Sequence, residues 1–164
     1  MRLLLTALKR CNDLITRLIK VIVVVMVIVM VCAIIWQITM RYIFNSPPSW
    51  TEELALLLFS WSMLLMLAVG VRESFHVRMD VLVLLLPKAG NRALQMLIDI
   101  AIAGFGAYLV WAGIDYAVGM YGATSAAIAY PIVLLYSAAP VSGALIFIYS
   151  LELLLARHVA GDNP

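Results

Sequence analysis

The chain has 164 residues, of which 65% are hydrophobic and only 12% are charged. Ordinary soluble domains are about 45–50% apolar and about 25% charged, and a chain this short has too little interior to bury so much apolar surface. The composition therefore excludes a soluble domain, a secreted disulfide scaffold and a disordered regulator. A net charge of +2 is also too small for a protein that binds nucleic acid.

Four long apolar stretches predict four membrane-spanning helices. Each stretch is close to the ~20 residues that cross the hydrocarbon core of a bilayer as a helix. A helix satisfies its backbone hydrogen bonds within itself, which a lone strand in lipid cannot do. The predicted spans are residues 21–40, 54–71, 94–114 and 132–151. The sequence therefore predicts an all-α integral membrane protein, with residues 1–164 forming a single membrane domain.

Two further segments are predicted to be helical without crossing the membrane. In residues 2–20, apolar side chains repeat at helical spacing and basic side chains occupy much of the remaining surface. This pattern is typical of an amphipathic helix on the inner leaflet, where anionic lipids attract its basic face. The predicted apolar face consists of Leu4, Leu8, Cys11, Ile15 and Leu18. Residues 77–86 are too few to cross, so they predict a short interfacial helix between spans two and three.

Basic residues predict which side of the membrane each loop faces. The chain has 11 Lys and Arg residues, and all but Arg41 lie before span one, between spans two and three, or after span four. Loops rich in Lys and Arg stay in the cytoplasm. We therefore expect both ends of the chain on the cytoplasmic side, and residues 41–53 and 115–131 on the opposite side.

Side chains that could hold a cofactor or a metal ion are few. The two histidines, His76 and His158, lie at span boundaries, whereas the axial ligands of a membrane haem lie within spans. Cys11 and Cys32 would be about 30 Å apart on a continuous helix, which is too far for a disulfide. The sequence therefore predicts neither an enzyme nor a cofactor or metal site.

Asp99 is the charged residue that falls inside a predicted span. Because an ion in hydrocarbon is costly, such residues often mark transport pathways. Asp99 could be the proton or cation site of a free-standing four-helix transporter or channel. It could instead pair with Arg92, two turns earlier, or be buried against another subunit. We favour a structural role, because a transport pathway normally gathers several polar groups and the other spans supply no second deep carboxylate.

Small residues in spans three and four predict close helix contacts. Gly104 and Gly106 in span three, and Gly143 in span four, allow helices to approach each other closely. The contacts could be within this chain or between subunits, and the pattern does not decide between them. Pro140 is expected to kink span four.

The segment between spans one and two is the most specific stretch of the chain. Two prolines break the chain there, Thr51 is placed to cap the start of span two, and Glu52 and Glu53 fall in its first turn, where the helix dipole favours negative charge. Arg41 ends span one and could pair with one of these glutamates. These residues could brace a rigid helical hairpin, or they could form a docking surface.

Two motifs resemble those of a transporter family. Residues 41–55 read Arg-Tyr-x-Phe-Asn-x-Pro-x-x-Trp-x-Glu-Glu-Leu-Ala, which resembles the hallmark of the small membrane subunit (DctQ-like, or Q subunit) of tripartite ATP-independent periplasmic (TRAP) transporters. Residues 71–80, Val-Arg-Glu-x-x-His-x-x-x-Asp, resemble the second signature of that family. The residues of interest are Arg41, Asn45, Pro47, Trp50, Glu52 and Glu53 in the first motif, and Arg72, His76 and Asp80 in the second.

The resemblance implies a division of labour among three proteins. A soluble periplasmic binding protein captures an organic acid, and a large multispan M subunit carries the substrate and sodium sites. The Q subunit stays with M in the bacterial inner membrane as part of a static scaffold, and helps to dock the binding protein. The expected partners are therefore the M subunit, the binding protein and membrane lipids. His76 and Asp80 are expected to fasten the helix at residues 77–86 to neighbouring chain or to lipid headgroups.

Overall fold

The computed structural model describes residues 2–73 and 88–160. These ranges form the helices α1 (Arg2–Tyr42), α2 (Trp50–Glu73), α3 (Lys88–Gly119), α4 (Val133–Tyr136) and α5 (Ala138–Ala160). Four stretches are long and apolar enough to cross a membrane: Lys9–Tyr42, Trp50–Glu73, Leu94–Gly119 and Val133–Leu155. The predicted all-α fold with four spans is confirmed. The helix predicted at residues 77–86, which follows His76 and includes Asp80, lies outside the described residues.

The first helix joins two segments that the sequence predicts separately. No break occurs near Lys20, and α1 runs through 41 residues, which corresponds to about 60 Å. The face that packs against the other helices carries polar as well as apolar side chains. Asn12, Thr16, Ile19 and Val23 are buried, whereas Leu18, on the predicted apolar face, is exposed. In a membrane, polar side chains turn toward the helix bundle and apolar ones toward lipid, so an exposed Leu18 is what the predicted lipid-contacting face requires.

The helices pack in the order α1, α2, α5, α3, with α2 and α5 in the middle. Ile19 and Val23 of α1 pack against Leu65 and Val69 of α2. Ala68 of α2 packs in turn with residues of α5, where Ile146 and Tyr149 are fully buried. Over the described ranges, no Cα atom of α1 lies within 8 Å of one in α3. The exposed flanks of this array are apolar, as lipid contact requires.

Glycines set the close packing of α3 on α5. A Cβ atom on Gly106 would lie 2.9 Å from the carbonyl oxygen of Gly143, and one on Gly113 would lie 2.6 Å from Cδ of Pro140. These distances are too short for a side chain. Gly104, in contrast, has no atom within 4 Å of its Cβ position. Gly106, Gly113 and Gly143 therefore allow α3 and α5 to pack closely within the chain. The sequence left open whether such contacts lie within this chain or between subunits.

The fourth span is interrupted where a proline removes a hydrogen-bond donor. Pro140 has no N–H to donate to the carbonyl of Tyr136 four residues earlier, and the helix breaks at Ser137, between α4 and α5. The Ser137 N–H donates to the Val133 carbonyl at 2.8 Å, and its hydroxyl donates to the Leu134 carbonyl at 2.9 Å. The interruption in the helix thus lies a few residues before the proline, and the backbone at Ser137 keeps helical angles (φ −65°, ψ −15°).

Contacts between the chain segments define the two ends of the bundle. Glu53, at the start of α2, bonds to Ala127 and Ile128 between α3 and α4. The turn between α1 and α2 and the loop at residues 120–132 therefore share one end, which we call the hairpin end. Arg72, at the end of α2, contacts the first part of α1 and the last part of α5. The four spans thus alternate in direction.

Candidate functional site

Arg72 is the centre of a polar cluster at the end opposite the hairpin end. Its side chain is only 12% exposed. One terminal nitrogen donates to the Thr16 hydroxyl at 2.7 Å and to the Asn12 carbonyl at 2.9 Å. The other donates to the Asp13 carboxylate at 2.7 Å. All three partners lie on α1, so this guanidinium holds the first part of α1 against the end of α2.

The same guanidinium also reaches α5. Its Nε lies 3.6 Å from a carboxylate oxygen of Glu152, and that oxygen accepts a hydrogen bond from the Asn12 side-chain amide at 2.6 Å. The guanidinium carbon lies 5.3 Å from the centre of the Tyr149 ring, within the range of a cation–π contact. The Thr16 hydroxyl donates to the Tyr149 hydroxyl at 3.0 Å. We call these six residues (Asn12, Asp13, Thr16, Arg72, Tyr149 and Glu152) the Arg72 cluster.

The sequence places Arg72 in a motif with His76 and Asp80, which lie outside the described residues. Among the residues that the structure describes, the partners of Arg72 come from α1 and α5. Sequence reasoning missed Asn12, Thr16 and Tyr149 altogether. One signal was available: Asn12 and Thr16 are polar and four residues apart, so they lie on one face of a helix. No sequence pattern links that face to residues more than 130 positions away on α5.

Glu52 forms the bracing contact predicted for the turn between α1 and α2. One of its carboxylate oxygens accepts a hydrogen bond from the Gln37 side chain at 2.6 Å and lies 3.4 Å from a guanidinium nitrogen of Arg41. The side chains of Arg41 and Glu52 are more than half exposed, so the ion pair contributes little to stability. This cluster ties the end of α1 to the start of α2.

The remaining residues of the first motif shape the turn itself. Asn45 has a positive φ of 52°, which asparagine tolerates better than most residues. Pro47 and Trp50 are exposed. Thr51 is fully buried, but it is not the cap that the sequence predicts. The helix already begins at Trp50, and the Thr51 hydroxyl donates to the Pro48 carbonyl at 2.7 Å instead.

Glu53 has different partners from Glu52. Its two carboxylate oxygens accept hydrogen bonds from the backbone N–H groups of Ala127 and Ile128, each at 2.9 Å. The loop at residues 120–132 folds back on itself, with a bridge between Thr124 and Pro131. Sequence reasoning missed this contact, because its partners are backbone groups that any residue would provide.

Two aromatic side chains, those of Trp61 and Tyr130, lie in the same region. The Trp61 indole N–H donates to the Leu134 carbonyl at 3.0 Å, which joins α2 to α4. Tyr130 lies close to Glu53, and burial together with the Glu53 charge raises the pKa of its phenol above the ordinary value of 10.0. The phenol is therefore neutral at physiological pH.

Asp99 is enclosed by the chain's own helices. The residue is 3% exposed, and its backbone carbonyl accepts a hydrogen bond from the Ser150 hydroxyl at 2.7 Å. Asp99 therefore lies in the interface between α3 and α5, close along α5 to the Arg72 cluster. Within residues 2–73 and 88–160, no three His, Cys, Asp or Glu side chains come together as a metal ion would require.

These features define a class of protein: a multi-pass helical membrane protein whose polar side chains fasten the ends of its spans to one another. The model of the family described as "Tripartite ATP-independent periplasmic transporters, DctQ component" matches residues 30–159. The chain belongs to this family of transporter components, which are not enzymes.

Three relatives share parts of the sequence. The sialic acid TRAP transporter small permease protein SiaQ of Vibrio cholerae is 30% identical over 104 residues, which are 63% of this chain and 60% of that protein. The C4-dicarboxylate TRAP transporter small permease protein DctQ of the same organism is 36% identical over 64 residues, or 39% of this chain and 27% of that protein.

The third relative is the sialic acid TRAP transporter permease protein SiaT of Haemophilus influenzae. It is 41% identical over 73 residues, which are 42% of this chain and only 12% of that protein. The matched regions therefore span at most about three fifths of any of these three relatives.

Proposed function

We propose that this chain is the auxiliary small membrane subunit of a sodium-coupled TRAP transporter for an organic acid. In this role it scaffolds a large M subunit, which carries the substrate and sodium sites, and it helps to dock a periplasmic binding protein. The observation that carries the proposal is the arrangement of its buried polar side chains. Asn12, Thr16, Ser150 and Glu152 are buried, and each bonds from one helix to another.

This arrangement suits a scaffold better than a transport path. Polar groups that line a path must be free to exchange partners with a moving ion or substrate. The buried groups named above instead hold helices in place. Asp99 lies at the interface between α3 and α5, which favours the structural role over the free-standing transporter considered from the sequence.

The proposal of a large partner is supported by the size of one relative. The 73 matched residues are 12% of the Haemophilus permease, so that polypeptide is about 600 residues long. A segment similar to this chain is thus joined to several hundred further residues in a single permease. The exposed apolar side chains along α1 and α3, which include Trp36 and Phe105, offer room for such a partner within the membrane.

The proposed location is the bacterial inner membrane, with both ends of the chain in the cytoplasm. The alternating spans place the segments around Arg72, where most of the basic residues occur, at one end of the bundle, and the hairpin end at the other. The positive-inside rule then assigns the hairpin end to the periplasm. A soluble binding protein would meet the transporter at that end.

The substrate class follows from the relatives. Their names include sialic acid and C4-dicarboxylate, and both substrates are carboxylates. We propose an organic acid of this kind, whose binding groups lie in the other two proteins.

Reconstitution tests the whole proposal. We would express the chain with a large permease and a binding protein of the same transporter, and measure uptake of carboxylates into proteoliposomes under a sodium gradient. The expected result is uptake that requires all three proteins and the sodium gradient. Uptake by this chain alone, lost on Asp99→Asn substitution, would contradict the proposal and support the free-standing transporter.

A further inference from the structure

Glu52 and Glu53 are adjacent in the sequence but hold different parts of the hairpin end. Glu52 contacts Gln37 and Arg41 of α1. Glu53 reaches the loop at residues 120–132, more than 70 positions away. In the sequence motif the two glutamates cannot be told apart, whereas in the structure each has different partners.

The contact between Glu53 and the loop requires a carboxylate. Each of its two oxygens accepts a hydrogen bond from one of two consecutive backbone N–H groups, those of Ala127 and Ile128. A glutamine has a single oxygen, and its amide nitrogen would face one of these N–H groups, so it can accept only one of the two bonds. Hydrogen bonds to a charged acceptor are also the stronger kind.

The loop held by this contact has a conformation that its sequence does not favour. Ala129 has a positive φ of 60°, which alanine adopts rarely because its Cβ crowds the backbone. Such a conformation persists only where surrounding contacts hold it in place. The carboxylate bonds to Ala127 and Ile128, immediately before Ala129, provide such contacts.

The side chains at the tip of this loop, residues 126–129 (Ala-Ala-Ile-Ala), are exposed. The bonds from Ala127 and Ile128 to Glu53 use their backbone N–H groups, so they leave these side chains free to contact a partner. No charged residue occurs between positions 120 and 132. An exposed, uncharged tip whose shape is fixed before binding loses little conformational entropy when it docks.

We propose that Glu53 is a positioning residue, which holds the 120–132 loop in the shape that the periplasmic binding protein contacts through the tip around Ile128. The inference rests on the proposed function, because it takes the hairpin end to face the periplasm. It assigns docking to the loop and leaves Glu52 as a brace between α1 and α2.

The first test asks whether Glu53 holds the loop, and it does not depend on docking. Glu53→Gln and Glu52→Gln each remove one negative charge, at adjacent positions, so each is the matched control of the other. Deuterium exchange of the peptide covering residues 123–131 is measured by mass spectrometry in the assembled complex. We expect exchange at least tenfold faster in Glu53→Gln and unchanged in Glu52→Gln. Equal exchange rates in the two variants would overturn the positioning role.

The second test asks whether the positioned loop docks the binding protein. Association rates of each variant complex with the binding protein are measured from low to high salt. Loss of a charge alters electrostatic steering equally in both variants, and salt screens that effect. We expect Glu53→Gln to associate at least fivefold more slowly than Glu52→Gln at high salt, where steering no longer contributes. Equal rates at high salt would overturn the docking role even if the loop is loosened.

A third variant covers the case in which Glu53→Gln does not assemble. Ile128→Ser leaves Glu53 and the loop backbone in place and changes only the tip. We expect at least fivefold slower association with unchanged deuterium exchange, and an unchanged rate would overturn the assignment of the tip. Sodium-driven uptake in the unmodified complex is recorded in parallel. If uptake is absent there, the proposed function fails, whereas the exchange result still decides the role of Glu53.

Discussion

Gly106 and Gly143 face each other across the contact between α3 and α5, and each lies against the backbone of the other helix. A Cβ atom on Gly143 would lie 2.8 Å from the Gly106 carbonyl oxygen, and one on Gly106 would lie 2.9 Å from the Gly143 carbonyl oxygen. Neither helix can move away without losing contacts along its length. Small residues at such positions are the usual means of close helix packing in membranes.

Replacing Gly143 by alanine should therefore destabilise the chain. The added methyl group must push α3 and α5 apart, and overpacking of this kind typically costs about 1–3 kcal/mol. We expect Gly143→Ala to lower the thermal unfolding temperature of the purified protein. Gly104→Ala is the matched control, since its Cβ position is open. Equal effects of the two substitutions would contradict the proposed packing.

Removing the Arg72 guanidinium should have a much larger effect than removing that of Arg41. Arg72→Gln leaves the Glu152 carboxylate, whose side chain is 11% exposed, without its counter-charge. Loss of one partner of a buried ion pair typically costs about 3–5 kcal/mol. Arg41→Gln breaks an exposed pair, which should cost at most about 1 kcal/mol. Unfolding by titration with a denaturing detergent compares the two variants.

A double substitution tests whether the loss at Arg72 comes from the stranded carboxylate. Glu152→Gln in the Arg72→Gln background removes the uncompensated charge, so part of the lost stability should return. If the double variant is as unstable as the sum of the two single variants, the two side chains do not interact across the cluster.

Asp99 should not take part in transport. It is buried where α3 meets α5, so Asp99→Asn is expected to leave sodium-driven uptake by the assembled complex within about twofold of the unmodified rate, an effect of less than about 0.5 kcal/mol. Uptake and assembly are measured on the same preparation. Loss of uptake from a fully assembled complex would show that the carboxylate couples transport.

Cysteine labelling tests the orientation of the spans. Ser46→Cys and Tyr121→Cys, both at exposed positions of the hairpin end, should react with a membrane-impermeant thiol reagent in intact cells. Arg10→Cys should react only after lysis. Cys11 and Cys32 are first replaced, because both are exposed. Gly122 is a poor labelling site, since its φ of 87° suits glycine alone. The reverse pattern of labelling would invert the proposed topology.

The spans could be predicted because hydrophobic length is a local property. An apolar stretch of about 20 residues crosses a bilayer whatever its neighbours are, and the four stretches found in the sequence are those of the structure. The pairing of Arg41 with Glu52 was equally accessible, because a two-helix turn brings residues 11 positions apart together. The ends of the spans were harder to predict than the spans themselves: α1 continues well before Val21, and α3 continues past Ile114.

The partners of Arg72 and Glu53 could not be predicted because they depend on how distant helices pack. Arg72 meets Glu152 only because α5 lies beside both α1 and α2. Glu53 binds backbone N–H groups, which carry no sequence signature. The inward face of α1 could not be predicted either, because the sequence does not show which of its polar side chains meet α5. Apolar side chains such as Leu18 face outward there, and Asn12 and Thr16 face inward.

The continuous helix α1 separates two polar contacts by about the thickness of the hydrocarbon core of a bilayer. Thr16, which belongs to the Arg72 cluster, and Gln37, which binds Glu52, are 21 residues apart on it, a rise of about 32 Å. The hydrocarbon core is about 30 Å thick, so the two polar fastenings lie one core thickness apart. Deleting a single residue between them would shorten α1 by about 1.5 Å but turn one end relative to the other by about 100°. The rotation, far more than the shortening, would prevent both fastenings from forming at once.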